Sequence, residues 1–446
     1  MENILDVLNK NELNHNYFQL SHSEIVYQNL KFGDLLYFNI NKADRKITFR
    51  DYANKAKNSH KLLADAKNAK MIKFRNCSFS GHPIIEDTDI VVCNFDNCNF
   101  EFPVEMDAEI LKQDNRTKEK ELTRNDVYFK DCRFSSLEMG SINILNKSVN
   151  QRIHILGGII EELSIQNVEV ESKFYINKQS KFNSETTIIE SLNICNSIFE
   201  ENFKLHNCEI KNFILEGTDF KKQADFYKSN FLLEENNDII FNAINFNNLT
   251  IFEKCQFHTK LIFTYVTFNE HCHFRQAVFK QGLDLEKANI MKDMNFFGVE
   301  DLDSKESKEK TSQETYRIIK HNFSKIGNTI EANKYHALEL GIHNKNTWSQ
   351  REVTPTLLSD GIVSFLFLIT SNFTKWWFLP LFWIFIVGAI TASNLGDMSF
   401  VNIMKYTIIT KYNYMDEYPI LFLFNKASLG FLYYQFILSV RKNTRK

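Results

Sequence analysis

Apolar side chains recur every eleven residues through the middle of the chain. One row of large side chains consists of Phe241, Phe252, Phe263, Phe274, Leu285 and Phe296. A second row follows five residues later and consists of Phe246, Phe257, Phe268, Phe279 and Ile290. Mostly smaller apolar residues lie between the two rows, at Ile244, Cys255, Val266, Ala277, Ala288 and Val299. A fixed period of this kind outranks local propensity and predicts a stacked repeat architecture.

Each repeat contains two short pieces in which apolar and polar residues alternate. Alternation with a period of two is typical of strands that have one buried face. The pieces are so short that the chain must turn after every five or six residues. Asn, Asp and Lys are frequent between the apolar rows, and Asn and Asp tolerate the backbone conformations that tight corners require. The pattern therefore predicts coils that stack and bury a shared apolar column.

The same unit continues upstream with less regular spacing. Small residues again precede an apolar anchor by two positions, as at Cys208, Thr218 and Ser229. Isolated copies with a Cys in the small position occur at Phe74–Phe79, Phe95–Phe100 and Phe129–Phe134. Some steps are ten residues long, and the stretch Glu234–Asp238 is interpreted as an insertion at a corner. One repeat domain is therefore predicted over residues 71–300.

A small residue two positions before a Phe or Leu, recurring every five residues, resembles the pentapeptide-repeat proteins. The resemblance implies a mainly β fold, a right-handed quadrilateral β-helix in which the Phe or Leu and the small residue point into the coil. The sequence departs from the family by one extra residue in every second pentapeptide. We therefore expect about 22 residues per coil in place of about 20.

The eight cysteines fit the same packing pattern. Cys77, Cys98, Cys132, Cys208 and Cys255 occupy small positions, and Cys93 and Cys272 occupy the apolar position that leads a repeat. At inward positions Cys acts as a small hydrophobic residue. Only Cys195 falls outside the pattern. The chain shows no CxxC motif and no signal peptide, so we expect a reduced, cytoplasmic location for the repeat domain.

Two apolar segments near the end of the chain predict membrane spans, at about 376–393 and 419–440. Trp376 and Trp377 flank the first as interfacial anchors do, and the second contains Lys426 near one end. The C-terminal residues Arg441, Lys442, Arg445 and Lys446 predict a cytoplasmic C-terminus, with the loop 394–418 on the other side. A third apolar stretch, Gly361–Thr370, is too short to span alone, which leaves an interfacial helix or a re-entrant segment open.

The remaining segments complete a five-part organisation. Residues 1–70 are expected to form an N-terminal cap region, with a short helix through Ile4–Leu13 and a lysine-rich capping helix within 51–70; contact of the latter with anionic lipid or a partner is the alternative. The repeat domain is followed by a charged linker at 301–311, an α-helical hairpin at 312–350 and a membrane domain at 356–446. The segment Glu314–Leu340, with two spans and a basic tail after it, resembles the C-terminal part of bacterial inner-membrane pentapeptide-repeat proteins.

Candidate chemistry is sparse. His271, Cys272 and His273, with His258 further upstream, form the only cluster of metal-ligand type. Alternation along a strand places Cys272 inward and both histidines outward, so they are not expected to bind one ion. No phosphate-binding loop, nucleophile elbow or HExxH motif occurs. We therefore expect no catalytic, cofactor-binding or metal residues, no cofactor and no enzymatic activity.

These observations favour a non-enzymatic, membrane-anchored β-helical scaffold in the bacterial inner membrane. Its repeat domain and both termini would be cytoplasmic, and its outer surface would bind an unknown protein partner; a homo-oligomer stays open. The alternative is a membrane effector or channel-like sensor whose transmembrane helices oligomerise or permeabilise the bilayer. A DNA-mimic gyrase inhibitor is a remote alternative, because 55 acidic and 53 basic residues give a net charge of only −2. For the same reason no nucleic-acid partner is expected.

Overall fold

A computed structural model gives the conformation of most of the chain. It describes residues 2–3, 18–20, 24–32, 36–41, 46–51, 57–61, 71–80, 84–86, 92–101, 104–105, 126–140, 147–149, 152–177, 186–234, 237–349, 355–372, 376–396, 398–409 and 417–444. The chain divides into two compact units, Met1–Lys310 and Thr311–Lys446. The first unit is a β-solenoid and the second is helical. The prediction of a mainly β fold followed by C-terminal helices is therefore confirmed.

One face of the solenoid is a twelve-stranded sheet that is parallel after its first strand. Its strands are Phe18–Leu20, Glu24–Gln28, Met71–Arg75, Val92–Asp96, Asp126–Lys130, Arg152–Leu156, Phe174–Ile176, Phe203–Leu205, Ala224–Asp225, Thr250–Ile251, Cys272–His273 and Met294–Asn295. We call this sheet the B face. Each strand pairs with the equivalent strand of the next coil, so every coil completes the backbone hydrogen bonds of its neighbour.

The other faces form a second sheet, which has 21 strands among the described residues. These are Glu2–Asn3, Leu30–Phe32, Ser78–Phe79, Asn99–Phe100, Val104–Glu105, Arg133–Phe134, Leu137–Gly140, Lys147–Val149, Ile159–Gln166, Val168–Val170, Thr187–Cys195, Ile198–Phe199, Cys208–Glu216, Asp219–Phe220, Asn230–Phe231, Ile239–Asn242, Asn245–Phe246, Gln256–Phe257, Leu261–Phe268, Val278–Phe279 and Leu283–Ile290. The last coils have the predicted period, because Thr250 pairs with Cys272, 22 residues further on, and Cys272 pairs with Met294 after another 22.

The interior is a column of stacked phenylalanine rings. Phe252 lies between Phe226 and Phe274, with ring centroids 4.9 Å and 5.1 Å away, and Phe296 continues the stack at 5.5 Å from Phe274. These rings are almost completely buried, as are seven of the eight cysteines. Only Cys195 is partly exposed, which confirms that the small positions of the repeat point inward.

Left-handed backbone conformations turn the chain at the corners. Asn76, Asn97 and Asn207 have positive φ angles, and Asn97 Nδ2 donates to Asn76 Oδ1 at 2.9 Å. Gly157 occupies the equivalent corner with φ +66°, and Gly158 follows it with φ +88°, where an added Cβ would lie 2.1 Å from Cys132 O. Asn is the residue other than Gly that most readily adopts this region, which explains its abundance between the apolar rows.

The solenoid begins upstream of the predicted boundary at residue 71. Strand Glu24–Gln28 pairs in parallel with Met71–Arg75, and Leu30–Phe32 pairs with Ser78–Phe79. The repeat unit is present here as Tyr27, Leu30 and Phe32, but Leu30 replaces the small residue, which hid the unit from the sequence pattern.

An antiparallel insertion follows this first coil, in place of the expected capping helix. Its three strands are Leu36–Asn41, Lys46–Asp51 and Lys57–Lys61, and Ile84–Glu86 adds a parallel edge. The lysine-rich segment therefore contains a strand, Lys57–Lys61, which pairs antiparallel with Lys46–Asp51. The short helix expected at Ile4–Leu13 lies outside the described residues.

The segment predicted as a charged linker closes the last coil. Residues Lys305–Lys310 form helix α1, in which Ser307 is fully buried and donates from Oγ to Phe279 O at 2.7 Å. Leu302, just before the helix, is also buried. Charge density indicated a linker, but Leu302 and Ser307 give the segment one face that covers the end of the apolar column.

The second unit contains six helices among its described residues. They are α2 (Gln313–Lys325), α3 (Thr329–Ser349), α4 (Pro355–Ser371), α5 (Leu379–Asn394), α6 (Phe400–Tyr406) and α7 (Pro419–Thr444). Helices α2 and α3 pack together through Tyr316, Phe323 and Tyr335, whose rings lie 5.6–6.2 Å apart. Ser312 caps α2 by accepting from Thr315 N.

Only one described helix is long and apolar enough to cross a membrane, namely Pro419–Arg441. The first predicted span, 376–393, contains a helix of only 16 residues, which is about 24 Å long against about 30 Å of hydrocarbon. The helix begins at Leu379 because Pro380 fits only its first turn, so Trp376 and Trp377 stay outside it. Gly396, with φ +74°, follows its end. The structure therefore leaves the two-span prediction unconfirmed.

Candidate functional site

The outer surface of the solenoid is organised in straight columns. Because successive coils pair in register, outward side chains at the same position stack along the rod. On the B face, the middle positions form the column Lys73, Asn94, Tyr128, His154, Tyr175, Lys204, Asp225, Ile251, His273 and Asn295. The sequence alone did not reveal such columns, since insertions make the coil lengths unequal.

The centre of this column is a buried ionic cluster around Asp225. Its Oδ2 lies 3.0 Å from His206 Nε2 and 3.7 Å from Lys204 Nζ, and it accepts from Gln223 Nε2 at 3.3 Å. Its Oδ1 accepts from Tyr227 N at 3.2 Å. Asp225 and His206 are both buried. With both carboxylate oxygens engaged, Asp225 holds neighbouring strands together, which is a structural role for this cluster.

Aromatic rings continue the column beyond Lys204. Tyr128 stacks on His154 at 4.5 Å between centroids, and His154 meets Tyr175 edge-on at 5.5 Å. Lys204 Nζ lies 5.8 Å from the centre of the Tyr175 ring, at the distance of a cation–π contact. All of these contacts join side chains of the B face to one another, so these residues of the column have their partners within the same face.

A different face carries an exposed apolar stripe. Ile240 pairs with Ile262, and Ile214 lies beside Ile240 because Leu215, the next residue, pairs with Phe241. Ile214 is 54% exposed and Ile240 is 44% exposed, whereas their neighbours Leu215 and Phe241 are buried. Ile262 is half-buried. We call Ile214, Ile240 and Ile262 the isoleucine stripe. Single exposed hydrophobic residues need no explanation, but residues that line up across adjacent coils form a continuous apolar surface of the kind that binds partners.

The stripe is bordered by polar and aromatic residues. Lys211 Nζ contacts Glu190 Oε1 at 2.7 Å, and Asn242 Nδ2 donates to Glu216 Oε1 at 2.7 Å. Tyr265 is 70% exposed at a corner with φ +54°, and Lys287 lies 5.9 Å from its ring centre. An apolar centre with a polar rim and an exposed Tyr matches the usual anatomy of a protein–protein interface.

The side chains of the histidine cluster lie on opposite sides of the backbone, as alternation predicts. Cys272 is fully buried, while His271 is exposed and its Nδ1 lies 3.2 Å from Asp293 O. Burial and nearby Lys280, 3.3 Å away, lower the pKa of His258. Burial and the neighbouring His271 also lower the pKa of His273. A neutral imidazole is the form that binds metals, but within the described residues no three His, Cys, Asp or Glu side chains converge on one point.

The helical unit contains a seam of buried polar side chains along α7. Asn425 Nδ2 donates to Thr391 Oγ1 of α5 at 2.8 Å, and Ser371 Oγ of α4 donates to Gln435 Oε1 at 3.3 Å. Asn425, Gln435 and Ser371 are fully buried. Between the two amides, Leu429 and Leu432 pack against Ile384. Polar groups of this kind join helices in bundles from which water is excluded.

The surface around this seam is apolar. Large exposed side chains of α5 and α7 include Phe382, Phe385, Ile390, Ile420, Leu423, Phe424 and Ile437. The helices thus bury polar residues and expose hydrophobic ones, which is the reverse of a water-soluble bundle. Sequence analysis identified the apolar segments but not the seam, since Asn425 and Thr391 are 34 residues apart and only the fold brings them together.

Comparison with known proteins supports the repeat interpretation. Residues 241–289 match a family model described as pentapeptide repeats (9 copies). The match lies where the eleven-residue period is most regular. No curated protein and no solved structure matches the chain. The solenoid is thus consistent with a pentapeptide-repeat β-helix.

Proposed function

We propose that this protein is a non-enzymatic, membrane-anchored β-helical scaffold whose isoleucine stripe binds a protein partner. The isoleucine stripe is the observation that carries the interaction role, because it is the outward position at which three adjacent coils carry the same large aliphatic residue. The family of repeats supports a scaffold, since its residues are committed to stacking.

The apolar surface of α5 and α7 supports membrane anchoring. The apolar part of helix α7 is long enough to span the bilayer, and Arg441 and Lys442 lie near the C-terminal end of the helix. The hydrogen bonds of the polar seam favour the association of α4, α5 and α7 within a lipid environment. We infer that the anchor lies in a bacterial inner membrane, with the solenoid and both termini in the cytoplasm.

Membrane anchoring is tested by fractionating cells that express the full-length chain. We expect it to remain in the membrane pellet after alkaline carbonate washing. A matched pair of variants sharpens the test: Leu423→Asp places a charge on the exposed apolar surface of α7, whereas Leu423→Val leaves that surface apolar. Only the aspartate variant should lose membrane retention, because a carboxylate in hydrocarbon is costly. Recovery of the unchanged chain in the soluble fraction would refute anchoring.

Partner binding is tested by crosslinking and purification of the full-length chain from membranes. Ile240→Asp introduces a charge into the isoleucine stripe, and Gln256→Asp introduces the same residue at an exposed strand position on another face. We expect the first variant to lose the crosslinked partner and the second to keep it. The partner is then identified by mass spectrometry, and a second copy of this chain is one possible identity. Equal crosslinking in both variants would exclude the stripe.

A further inference from the structure

The short helix α6 follows α5 in the chain and precedes α7. Its residues Ile403 and Tyr406 pack on Ala392, and Phe400 lies against Phe385 with ring centroids 6.3 Å apart. At Gly388 of α5, an added Cβ would lie 2.8 Å from both Ile403 O and Thr407 Cγ2. Only glycine at position 388 allows the backbones of α5 and α6 to approach this closely, so the sequence itself specifies how α6 packs on α5.

Three side chains of α7 satisfy carbonyl groups at the end of α6 and in the two residues that follow it. Asn425 Nδ2 donates to Tyr406 O at 3.2 Å, Tyr433 OH donates to Thr407 O at 3.1 Å, and Lys426 Nζ donates to Ile408 O at 2.9 Å. The last carbonyls of a helix in water are commonly satisfied by solvent. In hydrocarbon each one needs a protein donor, because an unpaired carbonyl costs several kcal/mol. Three dedicated donors therefore indicate an environment without water.

The opposite face of this segment is apolar and uncovered. Its exposed hydrophobic side chains are Met398, Phe400, Val401, Met404, Ile408 and Ile409, and Ser399 and Lys405 are exposed beside them. Val401 is 75% exposed and belongs to a group of neighbouring exposed apolar side chains rather than standing alone. Lys405 is the single charged residue of 398–409, and its long side chain can extend toward the interface. The apolar face is continuous with the exposed surface of α5 through Phe385.

We propose that Met398–Ile409 is embedded in the bilayer as a re-entrant half-helix whose exposed face is covered by lipid acyl chains. This inference rests on the proposed membrane anchoring. It replaces the expectation that the whole loop 394–418 lies in water on the far side. Asn425, Lys426 and Tyr433 form the latch that holds the half-helix in place, since they complete its backbone hydrogen bonds.

Cysteine labelling of the full-length chain in right-side-out membrane vesicles tests the embedding, because the loop after the half-helix then faces the added reagent. The background is Cys195→Ser, because the other seven thiols are buried. Val401→Cys probes the half-helix, Glu417→Cys probes the loop after it and Ile437→Cys probes the apolar surface of α7. We expect a charged, membrane-impermeant maleimide to label the Glu417→Cys variant at least about ten-fold faster than the other two. A lipid-soluble maleimide should label all three.

The outcomes separate the two proposals. If the chain resists carbonate but Val401→Cys reacts with the charged reagent as fast as Glu417→Cys, the half-helix lies in water and the inference is wrong while anchoring stands. If carbonate extracts the chain, anchoring itself fails and the embedding fails with it. Slow labelling of Val401→Cys in a carbonate-resistant chain supports both.

The latch is tested by combining Val401→Cys with Lys426→Met and Tyr433→Phe. Removing two donors leaves Thr407 O and Ile408 O unsatisfied, so the half-helix should open and labelling by the charged reagent should rise several-fold. The matched control is Tyr434→Phe, which removes a hydroxyl from the exposed neighbouring residue and should leave the labelling rate unchanged. An unchanged rate in the double variant would overturn the latch.

Discussion

Individual residues at or beside a corner decide whether a coil of this solenoid can close. Gly158 has φ +88°, and an added Cβ would lie 2.1 Å from Cys132 O and 2.9 Å from Cys132 N, which are backbone atoms that cannot move aside. Gly158→Ala should therefore cost about 3 kcal/mol or more. Gly298→Ala is the control. Gly298 has a similar φ of +71°, but an added Cβ would meet the Gln276 side chain at 3.3 Å and backbone atoms no closer than 3.9 Å, so about 1 kcal/mol is expected.

Thermal unfolding of the purified chain in detergent, followed by far-ultraviolet circular dichroism, compares the two glycine variants. Gly158→Ala should lower the midpoint of the β signal much more than Gly298→Ala. Equal shifts would mean that backbone strain alone, without the clash at Cys132, determines the cost.

The cysteines give a second prediction at the residue scale. Burial raises the pKa of the thiols of Cys208, Cys255 and Cys272, and their access is blocked by the packed rings. Burial also raises the pKa of Cys195, but this side chain is partly exposed. Iodoacetamide should therefore modify a single thiol rapidly in the native chain, and Cys195→Ser should abolish that reaction. Rapid modification of several thiols, detected by peptide mass spectrometry, would contradict the inward packing.

At the scale of elements, Glu339 joins helices α2 and α3. Its carboxylate lies 2.7 Å from Lys320 Nζ and 3.1 Å from Arg317 Nε, with His336 Nδ1 at 3.5 Å. Burial by itself would raise the pKa of Glu339, but hydrogen bonds from Lys320 and Arg317 outweigh it and the pKa lies below its ordinary value of 4.5. The ionised form is therefore favoured by folding, so its stabilisation is present above pH 4.5 and is lost as the pH falls through the lower folded-state pKa.

Glu339→Gln should therefore weaken the helix pair at neutral pH and not under acid conditions. A loss of about 1 kcal/mol is expected, since hydrogen bonds to charged groups contribute about 1–3 kcal/mol and the cations are partly solvated. Hydrogen–deuterium exchange of peptides from 313–349 in the full-length chain measures this loss of stability. The exchange rate of the variant should be about five-fold higher than that of the parent near pH 7. The variant and the parent should converge near the folded-state pKa; a constant difference at all pH values would exclude the charge as the cause.

The elements that could be predicted from sequence are those whose pattern is local. The inward row from Phe241 to Phe296 was readable because strand alternation and corner spacing repeat without interruption. The first coil was missed because Leu30 occupies a small position, and α1 was missed because only its contact with Phe279 explains why Ser307 is buried. The isoleucine stripe and the contact between Asn425 and Thr391 depend on register between distant segments, which periodicity does not encode.

At the scale of the whole solenoid, stability should depend on where along the rod a defect lies. Each coil contacts only its neighbours, so a weakened end frays while a weakened middle divides the rod. Phe252 stacks on both sides, against Phe226 and Phe274, whereas Phe296 stacks on Phe274 near the end of the rod. Each substitution to Ala removes a buried ring and should cost about 3–5 kcal/mol locally.

Hydrogen–deuterium exchange separates local fraying from division of the rod. Phe296→Ala should raise exchange in the last coil and in helix α1, which packs on that coil through Ser307, and leave coils before residue 250 protected. Phe252→Ala should raise exchange in the coils on both sides of residue 252, because the strand pairing of neither half can continue across the cavity left by the ring. If both variants raised exchange uniformly over 71–300, the solenoid would unfold as a single cooperative unit and nearest-neighbour coupling would not describe it.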